Sequence, residues 1–240
     1  MFELDSKFGY QIFGKTLGET WIGLVEAVLK RGRKSFDETR ERKALLNVRI
    51  KSATQKIPDK IITKYGHQGN LQAMLDLTFS EEIMRDIDVV KSFHIGAKSY
   101  HKRIKEGGML DFVIERLAKI PESKKAIMVF PTYEDYRAVL ENQSDDYLPC
   151  IVTIQFRLIP NKKGFVLNTS FYARSMDVYQ KGHGNLIALA KLSEIVARGV
   201  SQKIKKNIRL GFLDGIIADA HIYKESFSES RKNINFTTYA

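Results

Sequence analysis

The second half of the chain holds several side chains whose types and spacing could do chemistry. Cys150 follows Pro149 at the head of a stretch with strand periodicity. Arg174-Ser175-Met176-Asp177 follows the next such stretch, and Asn185 opens a strongly apolar helical run. Asp219-Ala220-His221-Ile222-Tyr223 ends the last strand region. A thiol, a guanidinium with a hydroxyl beside it, an amide and an imidazole–phenol pair are the parts of a site for a polar substrate. A thiol with a pKa of about 8.5 is mostly protonated at neutral pH, and a nearby cation favours the nucleophilic thiolate. A guanidinium also presents a planar fork that grips two oxygens of a phosphate at once.

Each of these residues has a plainer reading. A lone cysteine is more often an inert core residue than a nucleophile. Arg174 and Asp177 can form a local ion pair. His221 and Tyr223 lie two apart on one strand face and can simply pack. Asn185 can cap the helix it opens. Lys124-Lys125 can be a solvated strand start, and the Lys30-Arg31/Arg33-Lys34 and Lys203/Lys205/Lys206 clusters can be solvated faces.

The elements that must position these residues read as a mixture of helices and strands. Thr16-Leu17-Gly18-Glu19 is a capping-box pattern, Trp21, Leu24, Val25, Val28 and Leu29 recur at helical spacing, and Gly32 is a stop. A strand is expected over 44–51 and a helix over 68–77. The polar stretch 78–107 has no clear period. Leu110, Val113, Ile114 and Leu117 make a helical stripe within 108–119, and 124–130 reads as a buried strand. Thr132 with Asp135 caps a short helix to about residue 141. Over 150–159, Val152, Ile154, Phe156 and Leu158 alternate with Ile151, Thr153, Gln155 and Arg157. The turn Pro160–Gly164 makes 150–173 a hairpin. Residues 185–198 form an apolar helix ending at Gly199, and 208–223 form one or two strands. Interspersed elements with a long hairpin predict an α+β fold with an antiparallel or mixed sheet, a single domain over 1–240.

Composition narrows the class further. The 240 residues include one cysteine and carry a net charge of +11. One cysteine excludes an intrachain disulfide and a Cys-rich zinc site, and His67, His94, His101 and His183 lack metal-ligand spacing, so no metal is expected. No apolar run approaches a bilayer span and the first residues lack a signal-peptide pattern, so the expectation is a cytoplasmic protein. The charge is spread evenly, +6 over 1–120 and +5 over 121–240. It favours anionic partners. Dispersed charge without a groove-reading motif does not make nucleic acid the expected partner.

Taken together, Pro149-Cys150, Arg174-Ser175-Met176-Asp177, Asn185 eleven residues after that arginine, and Asp219-Ala220-His221-Ile222-Tyr223 resemble the thymidylate synthase family in order and spacing. The resemblance is best over about 109–223, and Ser99-Tyr100-His101-Lys102-Arg103 adds a weaker match. The shorter archaeal-like and nucleotide-hydroxymethylase branches are closer than bacterial synthases, since Ile151 stands where those usually have His. The resemblance implies transfer of a one-carbon unit from 5,10-methylenetetrahydrofolate to C5 of a uridine nucleotide, dUMP becoming dTMP. The Cys150 thiolate adds to C6 of the pyrimidine and makes C5 nucleophilic. Arg174 serves the thiolate and, with Ser175, the phosphate. Asn185 reads N3–H and O4 of uracil. His221 and Tyr223 hold the sugar 3′-hydroxyl, Asp177 faces the folate, and Tyr100 assists removal of the C5 proton. Family members form homodimers through a sheet face and donate an arginine pair across to the phosphate. Here that pair is Lys124 and Lys125, which keep the charge and lose the bidentate geometry. For the water-organising glutamate of the family, Glu81 and Glu82 are the nearest acidic residues. A hydroxymethylase, a non-catalytic nucleotide-binding protein and a nucleic-acid-binding module are the competing readings.

Overall fold

Apolar alternation in the second half resolves into the centre of one mixed sheet. The computed structural model describes residues 4–5, 9–37, 39–84, 97–141 and 147–238. Among them the strands are β1 (Leu4–Asp5), β2 (Gly9–Gly14), β3 (Arg33–Asp37), β4 (Arg40–Ser52), β5 (Ile127–Val129), β6 (Ile151–Asn161), β7 (Gly164–Ala173), β8 (Met176–Asp177) and β9 (Ile208–Tyr223). They run in the order β1-β2-β4-β9-β7-β6-β5, with β3 on β4 and β8 on β9. The β2–β4, β7–β9 and β8–β9 pairs are parallel and the rest antiparallel, so the α+β fold with a mixed sheet is as the sequence predicts. The helices are α1 (Leu17–Arg31), α2 (Lys60–Tyr65), α3 (Gln68–Phe79), α4 (Tyr100–Glu106), α5 (Met109–Lys119), α6 (Tyr133–Glu141), α7 (Gly182–Ile204) and α8 (Phe227–Thr238).

Helix α1 starts where its cap requires. The Thr16 hydroxyl accepts the Glu19 N–H at 3.2 Å, and the Glu19 carboxylate accepts the Lys15 N–H at 2.7 Å. Its buried side Leu17, Trp21, Leu24, Val25 and Val28 joins α7 residues and Leu45, Val48, Ile50, Ile154 and Phe156 of the strands in one core. Burial of each such large side chain contributes about 2 kcal/mol. The Trp21 indole N–H donates to the Val178 carbonyl at 2.9 Å and so pins the approach to α7.

Several boundaries differ from expectation. Helix α7 runs from Gly182 through Gly199 to Ile204, where Lys205 turns left-handed at φ 52°. Gly199 is a packing contact instead of a stop: a Cβ there would lie 2.6 Å from Ile114 Cδ1 on α5. Strand β5 is a short edge strand that turns Ile127 and Val129 to the uncovered face, so only Met128 of its three residues is buried, which corrects the buried strand expected over 124–130. A register shift between Ile151 and Thr153 turns Ile151 inward and leaves Val152 half-buried, reversing the faces expected at the start of β6. Gly164 closes the β6–β7 hairpin at φ 140°, a backbone form that side chains rarely adopt. The unreadable stretch 78–107 contains α4, a seven-residue polar helix.

Helices cover one sheet face. The opposite face leaves Leu46, Ile216, Tyr172 and Val129 exposed, and Ile216, Tyr172, Thr153 and Val129 are successive cross-strand partners on β9, β7, β6 and β5.

Candidate functional site

The Cys150 turn is held from two sides. Cys150 is a free, half-buried thiol immediately before β6. On one side, Arg174 leaves the end of β7 with its backbone N–H bonded to the Cys150 carbonyl at 2.9 Å. Its guanidinium donates to the carbonyls of Leu148 at 2.7 Å and Pro149 at 3.3 Å. The rest of that exposed guanidinium retains donors for an anion. Arg174 therefore serves the cysteine turn and does not form the local pair with Asp177. On the other side, the buried Tyr100 hydroxyl accepts the Ile151 N–H at 2.8 Å. Burial, reinforced by the neighbouring Cys150, pushes the Tyr100 phenol far above its ordinary pKa. It stays protonated, and its own O–H remains available.

Tyr100 is held through its helix. Three residues on, the buried Arg103 guanidinium donates to both oxygens of Asp135 at 2.6 and 2.7 Å, and to the carbonyls of Phe130 at 2.9 Å and Lys98 at 3.1 Å. Burial alone would raise the Asp135 carboxyl, but hydrogen bonds from Arg103 and Thr132 outweigh it and hold it below the usual carboxylate range. The Tyr100 ring meets Phe130 edge-on at 4.9 Å.

Asn185 lies in the first turns of α7, with its backbone N–H on Lys181 O at 2.8 Å, so the helix opens at Gly182 and Asn185 does not cap it. It lines a small cavity together with Tyr100, Phe130, Ile151 and Leu189. Amide and phenol thus face one largely apolar space next to the cysteine turn. Asp177, on β8, caps the turn into α7: its Oδ1 accepts the N–H groups of Tyr179 at 3.1 Å and Gln180 at 3.0 Å, and its Oδ2 accepts the Gln180 amide at 2.9 Å. Ser175 is half-buried between Arg174 and Met176.

His221 and Tyr223 project from the end of β9, their rings edge-to-face at 5.0 Å. Strand register sets Asp177 beside His221. His221 Nδ1 bonds Asp219 Oδ1 at 2.9 Å, and Arg42 of β4 donates to both Asp219 oxygens at 2.8 and 3.0 Å. Tyr223 donates to Asp37 Oδ2 at 2.5 Å. Burial and the adjacent Asp37 carboxylate push the Tyr223 phenol well above its ordinary range. Burial would raise the Asp219 carboxyl, but the hydrogen bond to His221 and the charges of His221 and Arg42 hold it down.

The sequence reading missed Arg42, Asp37 and Arg40. Arg40 has a buried Nη1 without a hydrogen-bond partner among the described residues. The signal was the pair Arg40 and Arg42, two apart in a charged run, which a strand places on one face. Lys124 and Lys125 precede the edge strand β5 and are exposed; among the described residues only their backbone atoms are bonded, to Gln155, Ser123 and Ile127. Glu82 is exposed and bonded to Lys105, which lowers its pKa; Glu81 is half-buried. Among the described residues no group of His, Cys, Asp and Glu could hold a metal ion, and no helix is long and apolar enough to cross a membrane.

A family model described as thymidylate synthase matches residues 80–240. The chain is also 27% identical over 242 residues to a protein of Methanothermobacter marburgensis named "Putative thymidylate synthase", covering 94% of this chain and 98% of that one.

Proposed function

Because this chain belongs to the thymidylate synthase family, we propose that it transfers a one-carbon unit to C5 of a uridine nucleotide, dUMP, with Cys150 as the nucleophile. The observation that carries this reading is the cysteine turn. A half-buried thiol stands between the Tyr100 hydroxyl, bonded to the next residue's N–H, and a guanidinium that grips the two preceding carbonyls. In this account the Cys150 sulfur bonds to C6 of uracil, and the electron pair of the C5–C6 double bond makes C5 a nucleophile. Arg174 binds the 5′-phosphate with the guanidinium donors that the turn leaves free, and Ser175 adds a hydroxyl. Asn185 has both a donor and an acceptor for N3–H and O4. Tyr100, kept protonated by burial, passes the C5 proton to solvent through its hydroxyl. His221 and Tyr223 face the sugar.

Methylenetetrahydrofolate supplies the one-carbon electrophile. The apolar walls beside Asn185 and Tyr100 suit a flat ring laid against the pyrimidine. Asp177, which fixes the turn into α7, is the carboxylate on the folate side. The exposed sheet face with Ile216, Tyr172 and Val129 supports a homodimer, and the exposed side chains of Lys124 and Lys125 support donation of charge across it.

Incubation with 5-fluoro-dUMP and methylenetetrahydrofolate tests the reading. Fluorine at C5 cannot leave as a proton does, so the Cys150 adduct should accumulate and appear in the intact protein mass. A Cys150→Ser protein should gain none. Absence of any adduct on the wild-type protein contradicts the proposal.

A further inference from the structure

One buried guanidinium touches both sides of the cysteine turn. The Arg103 N–H groups lie in the guanidinium plane and donate there to Asp135 of α6 and to the Phe130 and Lys98 carbonyls. These bonds fix the plane and leave its face for a ring. That ring belongs to Tyr147: Arg103 Cζ lies over it, 5.9 Å from the centroid, inside the roughly 6 Å over which a cation is drawn to an aromatic face. Both residues are enclosed, Arg103 at 4% and Tyr147 at 8% exposure, so water screens the attraction little. Met74 and Leu77 of α3 and Met84 pack around Tyr147. Tyr147 also opens the cysteine turn. Arg174 grips the next two carbonyls, Leu148 and Pro149, and the Tyr100 hydroxyl takes the Ile151 N–H. Arg103 is three residues on from Tyr100 in α4, and it holds the carbonyl of Phe130, whose ring backs Tyr100. The same guanidinium therefore places the phenol from one side and the start of the thiol's turn from the other. Burial, reinforced by Tyr100 and Cys150, pushes the Tyr147 phenol well above its ordinary range, so it stays uncharged beside the thiol.

We propose that Arg103 and Tyr147 are positioning residues for the reaction: the guanidinium face seats the Tyr147 ring, and that seat sets where the Cys150 sulfur stands relative to the Tyr100 hydroxyl when it meets C6. The inference rests on the reading of Cys150 as the nucleophile given above. The seat needs an electron-rich ring face and does not need the Tyr147 hydroxyl. It acts on bond formation more than on nucleotide binding, because Arg174 is tied separately to Pro149 and Cys150.

Two measurements on the full-length protein test this: the rate of adduct formation with 5-fluoro-dUMP and methylenetetrahydrofolate, and dUMP affinity by calorimetry. Tyr147→Met keeps an apolar filler beside Met74 and Met84 and removes the ring. It should form the adduct at least about tenfold more slowly, as a reacting atom displaced by less than about 1 Å does, with dUMP affinity within about threefold of wild type. Tyr147→Phe restores the ring and should stay within about threefold of wild type in both. Pentafluorophenylalanine at position 147 keeps the ring's shape and reverses the charge of its face, so it should be as slow as Tyr147→Met. Should Tyr147→Met fail to fold, the two ring variants still decide the matter. A pentafluoro protein as fast as Tyr147→Phe overturns the inference. So does a slow Tyr147→Phe, which gives the role to the hydroxyl, and so does a Tyr147→Met protein that matches wild type. A Tyr147→Met protein that loses rate and dUMP affinity together marks a packing residue and overturns it too. Wild-type protein that forms no adduct instead rejects the nucleophile reading itself, and this inference with it.

Discussion

Cys150 stands half-exposed before the β6 bulge with its backbone held by Arg174, so removing its sulfur should alter chemistry and leave the fold intact. Cys150→Ser should lower turnover roughly ten-thousandfold, as loss of a nucleophile does, with an unchanged melting temperature in a thermal scan. Asn185→Asp exchanges an amide donor for a carboxyl group, so base preference should move from dUMP toward dCMP, read as the ratio of their dissociation constants. At this scale much of the site was legible, because Cys150, Arg174, Asn185 and His221 occur in an order and spacing that chance rarely produces. What the sequence hid was partnership. Arg42 and Asp219 are 177 positions apart in the chain, and Tyr223 and Asp37 are 186 apart. No local pattern links them; strand register does. The plainer reading of Arg174 and Asp177 as a local ion pair gives way for a related reason, since each bonds backbone groups closer by.

At the scale of elements, α4 is the clearest case of structure without a local signature. Its sequence Tyr-His-Lys-Arg-Ile-Lys-Glu has no apolar period, and what fixes it is the buried Arg103–Asp135 pair. Asp135→Asn should leave Arg103 without its counter-charge and cost on the order of 3 kcal/mol by denaturant unfolding. It should also lower activity through displacement of Tyr100. The Asp135 pKa is depressed in the folded state, so its contribution is fully present above the ordinary carboxylate range and is lost as pH falls through the depressed value. The stability gap between wild type and Asp135→Asn should therefore hold at neutral pH and close in acid. Periodicity located α1, α5 and the β6–β7 hairpin because their buried faces repeat. It misplaced the end of α7, because Gly199 reads as a stop until Ile114 is seen packed against it.

On the scale of the whole molecule, an uncovered sheet face and a net charge of +11 remain to be accommodated. Burying Ile216, Tyr172 and Val129 against a second copy should give a species of twice 27.5 kDa in sedimentation. Ile216→Lys, at the middle of that face, should shift it to the monomer mass. If Lys124 and Lys125 serve the partner's phosphate, a mixture of Cys150→Ser and Lys124→Ala/Lys125→Ala proteins should regain activity that neither has alone. The exchanged dimer rebuilds one intact site. The sequence could place the class of the sheet but not which face is open, since alternation does not say which side the helices take. The central claim concerns one bond, from the Cys150 sulfur to C6 of the pyrimidine. It is tested most directly by release of tritium from C5-labelled dUMP in the presence and absence of methylenetetrahydrofolate. Wild-type protein should release tritium with the folate and Cys150→Ser should release none. Release by Cys150→Ser at the wild-type rate, or none from wild type with the folate present, would contradict the account.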